Sequence, residues 1–223
     1  MITTDNGAAR RVAGEIVDLL AAVPMVAAVS LFGSLAEERA DAWSDVDLHV
    51  ACMSEAGRWA AAAAIRAGKP VEFYRTFTGG IQPSGRYWFT DESPFQKIDI
   101  SFFTLAEYRE KQAHPLVLGL PVTLREVYVR ADGACAKSMA QPAPLELTEG
   151  ELEIGRRVYR LSLSAKARGR GKADGQYLDE DIAGLRAAFG DRPPNFTAGG
   201  GHLGRLVARM LAAAEYIRAH YPL

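Results

Sequence analysis

At 223 residues, with 48% apolar and 24% charged side chains, the chain has the make-up of a globular protein of one or two domains. Its 26 basic and 27 acidic residues leave a formal net charge of -1, which speaks against a nucleic-acid partner, since such proteins carry a basic excess or stripe. No apolar run approaches the ~20 residues of a membrane span, MITTDNGAARR has no signal-peptide core, and Cys52 and Cys135 form neither a disulfide framework nor a metal spacing. A reducing, cytoplasmic setting is expected.

In chain order, residues 5–23 carry Val12, Ile16, Leu19, Leu20 and Val23 at helical spacing, which predicts an amphipathic helix capped by Asp5 or Asn6 and ended by Pro24. Residues 26–32 form a short apolar run of the kind a buried strand makes; Gly33 breaks it, and Ser34 is placed to cap a brief helix through Arg39. A strand over 45–52 follows, then an alanine-rich helix over 54–67 stopped by Gly68 and Pro70, then a strand over 71–75. Residues 76–85, TFTGGIQPSG, have loop composition, suited to a site rim or to a plain connection. The runs 86–90 and 97–103, joined by DESP, predict an antiparallel hairpin. In its second arm Ile98, Ile100 and Phe102 alternate with Lys97, Asp99 and Ser101, which puts Asp99 on the polar face.

Thr104 to Glu107 and Thr148 to Glu151 are both capping-box patterns, the first opening a helix that stops before Pro115. Between them lie a strand over 122–129, a turn at Asp132-Gly133, and QPAPLEL at 141–147, where the composition shifts. Helical segments are expected over 149–168, 175–189 and 202–220. The fold class is therefore α+β: a mixed-sheet domain over 1–141 followed by a helical bundle over 148–223.

The chemistry concentrates in residues 31–50, LFGSLAEERADAWSDVDLHV. On a strand Asp45 and Asp47 share a face, and two like charges side by side are unfavourable without a cation between them. The plainer reading makes Gly33 a strand-to-helix turn and Asp45 a cap on a strand edge. It leaves unexplained why Asp47 sits inside an apolar strand, where an unpaired carboxylate is costly.

Gly33-Ser34, followed after an insert by Asp45-Val46-Asp47-Leu48, resembles the signature of the nucleotidyltransferase superfamily typified by DNA polymerase beta. More narrowly it is similar to the small bacterial enzymes that adenylylate antibiotics such as aminoglycosides and lincosamides. The likeness spans about residues 10–135. It implies transfer of a nucleoside monophosphate from ATP or another nucleoside triphosphate to an acceptor hydroxyl, with Asp45 and Asp47 holding Mg²⁺ against the phosphates. Two such ions about 3.5–4 Å apart would clamp the attacking and leaving oxygens. Gly33 would let the backbone approach a phosphate, and Ser34 would offer its hydroxyl and N–H there. Asp99, in KIDIS, matches the third carboxylate, as second-metal ligand or general base, against the alternative of a surface carboxylate paired with Lys97. Lys166 is the candidate triphosphate contact from the helical half, against a solvated helix face.

The insert LAEERADAW lacks the glycine that often follows an arginine there, and His49 stands where the family usually has an apolar residue. His49 is then either a partner of the carboxylates or a satisfied, partly buried histidine. Glu72 is an alternative base or an exposed edge-strand charge. Glu72, Asp91, Glu92, Asp179, Glu180 and Asp181 would supply an acidic cleft if the acceptor is a cationic aminoglycoside-like molecule. The rival functions are a protein-modifying nucleotidyltransferase of toxin-antitoxin type and a nucleotide-binding regulatory module without turnover.

Overall fold

Helix α1 (Ala8–Ala21) turns Val12, Ile16 and Leu20 onto one buried face and stops before Pro24, as its spacing requires. The computed structural model describes residues 7–76, 83–117, 120–131, 148–190 and 202–222. Asp5 and Asn6, the 77–82 loop tip, the Asp132-Gly133 turn, the 141–147 boundary and Cys135 lie outside the described residues. Gly7 holds the cap position of α1 and no side chain caps it.

Strand β1 (Val26–Leu31) leads into the single turn α2 (Gly33–Ala36), then β2 (Val46–Cys52) and α3 (Glu55–Gly68). Ser54 caps α3, its hydroxyl accepting from the Gly57 N–H at 3.2 Å. Strands β3 (Val71–Thr76), β4 (Gly85–Phe89) and β5 (Ile98–Thr104) follow, then α4 (Leu105–Ala113). The two-residue strands β6 (Leu116–Val117) and β7 (Leu120–Pro121) pair with each other, and β8 (Arg125–Val129) returns to the main sheet. The helical half holds α5 (Glu149–Gly169), α6 (Leu178–Phe189) and α7 (Leu203–His220). Both expected capping boxes form, Thr104 with Glu107 and Thr148 with Glu151.

The six main strands stand in the order β3-β4-β5-β2-β1-β8. Every neighbouring pair is antiparallel except β2 and β5, which run parallel. Alternation divides the sheet into two faces. Val46, Leu48, Val50, Ile98, Ile100 and Phe102 point into a core shared with α1 and α3. On the opposite face Ala28 and Ala51 pack with Tyr108 of α4, while Phe73 and Trp88 join the apolar core of α5, α6 and α7.

Four expectations are corrected. Ser34 does not cap α2: Phe32 is extended, with its N–H donated to the Asp47 carbonyl, so the helix begins at Gly33 and Ser34 falls inside the turn. Strand β2 begins at Val46, leaving Asp45 on the approach to it. The last sheet strand begins at Arg125, not 122. The helix placed over 175–189 begins at Leu178, after a 3₁₀ turn at Ala173–Tyr177. Gly175 in that turn lies so close on α5 that an added Cβ would come within 2.6 Å of the Arg168 backbone, and the tighter winding fits this approach.

Candidate active site

The parallel register of β2 with β5 sets Asp47 directly beside Asp99, and the antiparallel register of β5 with β4 sets Asp99 beside Arg86. Because partners in a register share a face, Arg86, Asp99 and Asp47 form one row across three strands. At the end of that row stands Gly33, with φ +67°; a Cβ there would lie 2.9 Å from Asp47 Oδ2. This position therefore needs glycine twice over, for its left-handed backbone and for its approach to the carboxylate.

Asp45 enters beside the row from the loop before β2. That loop is held by α5 at three successive points. The Arg170 guanidinium donates to both carboxylate oxygens of Asp41, at 2.7 and 2.6 Å, Gly169 lies against the Trp43 ring, and the Lys166 ammonium pairs with Asp45 Oδ1. Arg170 is the main reason the Asp41 carboxyl is held down to about 2. Asp41 also accepts from the Trp43 N–H and the Ser44 hydroxyl, closing the loop on itself.

Three cations meet the three carboxylates. Lys97 Nζ lies 3.0 Å from Asp45 Oδ2 and 2.9 Å from Asp99 Oδ2. Arg86 Nε donates to both oxygens of Asp99, at 3.1 and 3.2 Å, and its guanidinium stacks on the Tyr159 ring of α5 at 3.9 Å. Lys97 and Lys166 are only 4% and 3% exposed, so these are desolvated charges held by their partners. Among the described residues Asp47 has no ion-pair partner of its own.

The electrostatics follow that division. Burial opposes ionisation of Asp45, yet the ammonium groups of Lys166 and Lys97 outweigh it and hold its carboxyl below the ordinary value. Burial likewise works against the charge on Lys97, and Asp45 and Asp99 overcome it and raise the ammonium above its usual range. Asp47 goes the other way: burial first, then the charge of Asp45, push its carboxyl up to about 7.

Comparison of the chain with protein-family models gives no match, and comparison with curated proteins gives none either.

The structure thus brings Gly33, Asp45, Asp47, Asp99 and Lys166 into one place, with Ser34 in the adjoining turn. Lys166 does not lie on a solvated helix face, and Asp99 is bonded to Arg86 as well as to Lys97. His49 shares the Asp47 face but makes no contact with the carboxylates: it is buried between the rings of Phe32, at 4.4 Å, and Phe103, at 5.0 Å. Burial holds it neutral, down to about 4.

Glu72 is no exposed edge charge; it is 1% exposed and paired with Arg209 of α7. Five of the acidic residues proposed for a cleft are engaged in ion pairs, Glu72 among them. Asp91 and Glu92 bind Lys69, Asp179 binds Arg218, and Asp181 binds Arg160. The Lys97–Asp99 pair given as the alternative does form, though buried and not at the surface, whereas Arg86 and Tyr159 went unread in the sequence. Lys97 was legible, because it lies two residues before Asp99 on the polar side of the alternation; Arg86 required the hairpin register and Tyr159 the packing of α5.

Among the described residues no group of three or more Asp, Glu, His or Cys side chains is placed to hold a metal ion. Asp47, with Asp45 beside it, is the residue that would hold a Mg²⁺ ion, which is ordinarily bound by one or two carboxylates with substrate phosphates filling the other positions. Gly33 lies against Asp47 Oδ2, and Asp47 is the one carboxylate of the three without a paired cation among the described residues.

Proposed function

We propose that this chain is a Mg²⁺-dependent nucleotidyltransferase that moves a nucleoside monophosphate, from ATP or another nucleoside triphosphate, to a hydroxyl of a small-molecule acceptor. The observation that carries this reading is the row of Asp47 and Asp99, with Asp45 alongside and Gly33 pressed against Asp47. Carboxylates gathered at the end of a strand-turn unit, with basic groups about them, suit a triphosphate and its metal.

In this reading Asp47, with Asp45 beside it, would hold the ion, which would supply charge neutralisation to the phosphates. The acceptor oxygen forms its bond to the α-phosphorus as the bond to pyrophosphate breaks, and the hydroxyl proton leaves to a carboxylate of the cluster or to water. Lys166 and Arg86 provide positive charge beside the carboxylates, where the negative charge of a triphosphate gathers. The Tyr159 ring of α5, 3.9 Å from the Arg86 guanidinium, helps to hold that group beside Asp99.

The test is incubation of the chain with α-labelled nucleoside triphosphates, Mg²⁺ and a panel of aminoglycosides, lincosamides and other hydroxylated small molecules, with cell-extract proteins as a separate arm. Label is expected on a small molecule and not with Asp47→Asn. Label on a protein instead would move the assignment to a protein-modifying enzyme. Nucleotide binding with no label anywhere would reduce the chain to a binding module.

A further inference from the structure

We propose that Lys97 is a built-in cation standing in the place of a second metal, so that the carboxylate cluster takes a single divalent ion, at Asp47. The inference rests on the nucleotidyltransferase reading and specifies its metal requirement.

A second ion about 3.5–4 Å from the first would have to bridge neighbouring carboxylates of this cluster. Here that bridging place is filled from within the chain: Lys97 Nζ lies 3.0 Å from Asp45 and 2.9 Å from Asp99, reaching oxygens that come from the β2 approach and from β5. The ammonium is not a loose surface group that a metal would push aside. Its residue is 4% exposed, and its backbone is tied to the same loop, with its N–H 3.4 Å from Asp45 Oδ1 and its carbonyl accepting from the Val46 N–H at 3.2 Å. The face of Tyr159 lies 5.7 Å from Nζ. Swinging Lys97 out would strip two carboxylates of a shared partner in a desolvated place.

The remaining oxygens of those two carboxylates are also engaged. Asp45 Oδ1 meets Lys166, and Asp99 meets Arg86 through both oxygens. A divalent ion entering between Asp45 and Asp99 would face Lys97 and Lys166 at contact range, like charge against like charge. Asp47 alone, among the three and among the described residues, has no paired cation. The cluster therefore offers one open carboxylate and one position already carrying a positive charge.

Electron paramagnetic resonance with Mn²⁺ distinguishes the two arrangements, because two Mn²⁺ ions held about 4 Å apart give an exchange-coupled spectrum and a single bound ion does not. The chain, in excess over a non-hydrolysable nucleoside triphosphate analogue, is titrated with Mn²⁺. The native chain is expected to show one uncoupled bound ion per analogue, with further Mn²⁺ staying in the aqueous signal. Lys97→Met is expected to bind a second ion and show coupling, and Lys97→Gln, which keeps hydrogen bonding without charge, is expected to do the same.

A coupled pair in the native chain would overturn the single-ion inference while leaving the nucleotidyltransferase reading intact. Failure of the chain to bind the Mn²⁺–analogue complex at all would overturn that reading itself. A single ion in folded Lys97 variants would remove Lys97 from the role. Should neither variant fold, the native spectrum alone still decides the count.

Discussion

Gly33 can be tested against an internal control. Alanine at this position incurs the left-handed backbone penalty, since φ is +67°, and puts a methyl 2.9 Å from Asp47 Oδ2. Gly171, between α5 and the 3₁₀ turn, has nearly the same φ, +65°, with nothing within 4 Å of its Cβ position. Gly171→Ala therefore carries the backbone cost alone, about 1–2 kcal/mol. Gly33→Ala carries that cost and must also move the Asp47 carboxylate, because a 2.9 Å contact is one a real Cβ does not make. Urea unfolding of both variants is expected to show Gly33→Ala destabilised at least as much as Gly171→Ala. Binding of the Mn²⁺–analogue complex is expected to weaken at least tenfold in Gly33→Ala, about 1.4 kcal/mol, and not to change in Gly171→Ala. Equal metal binding in the two variants would refute the claim that the glycine serves the carboxylate.

Three further perturbations follow from the buried charges. Asp47, raised from 3.8 to about 7 in the fold, favours its protonated form there, so its contribution is present below the unfolded value and is lost as pH rises towards 7. Without metal, Asp47→Asn is expected to be the more stable protein at pH 8, by up to about 4 kcal/mol, and to match the native chain near pH 4; denaturant titrations at the two pH values check this. His49 is lowered from 6.5 to about 4, so native stability is whole above 6.5 and is expected to fall, by up to about 3 kcal/mol, as pH drops through that range. His49→Phe is expected to flatten that slope in thermal melts recorded across it. Arg209→Met strips Glu72, 1% exposed, of its partner, and is expected to cost about 3–5 kcal/mol in urea unfolding, with much of the loss recovered by adding Glu72→Gln.

The elements legible in the sequence were those set by local chemistry. Thr104 with Glu107 and Thr148 with Glu151 announce helix starts whatever lies around them, and the alternation through Ile98, Ile100 and Phe102 assigns Asp99 to a face without any knowledge of the sheet. Asp47 was readable for the same reason, whereas Asp45, expected on the same strand face, lies on the approach to β2. What escaped depends on contacts distant in sequence. The parallel pairing that sets Asp47 beside Asp99 joins strands some fifty residues apart with two other strands between them, and nothing local specifies it. Arg86 faces Asp99 only once the hairpin register is fixed, and Tyr159 reaches Arg86 only once α5 is docked. Glu72 was misread because β3, an edge strand, is covered by α7, whose Arg209 takes up the charge. The start of α2 moved for a similar reason: the Phe32 N–H belongs to the Asp47 carbonyl, a contact between strands and not a capping preference.

The central claim, that these carboxylates direct nucleotidyl transfer, is tested most directly by the fate of two labels. The chain, Mg²⁺ and the acceptor panel are incubated in parallel with triphosphate labelled at the α-phosphorus and at the γ-phosphorus. The expected result is that the α-label moves to the acceptor while the γ-label leaves in pyrophosphate, both depending on Asp47. Transfer of the γ-label to an acceptor, its release as inorganic phosphate, or α-label transfer undiminished in Asp47→Asn would contradict it.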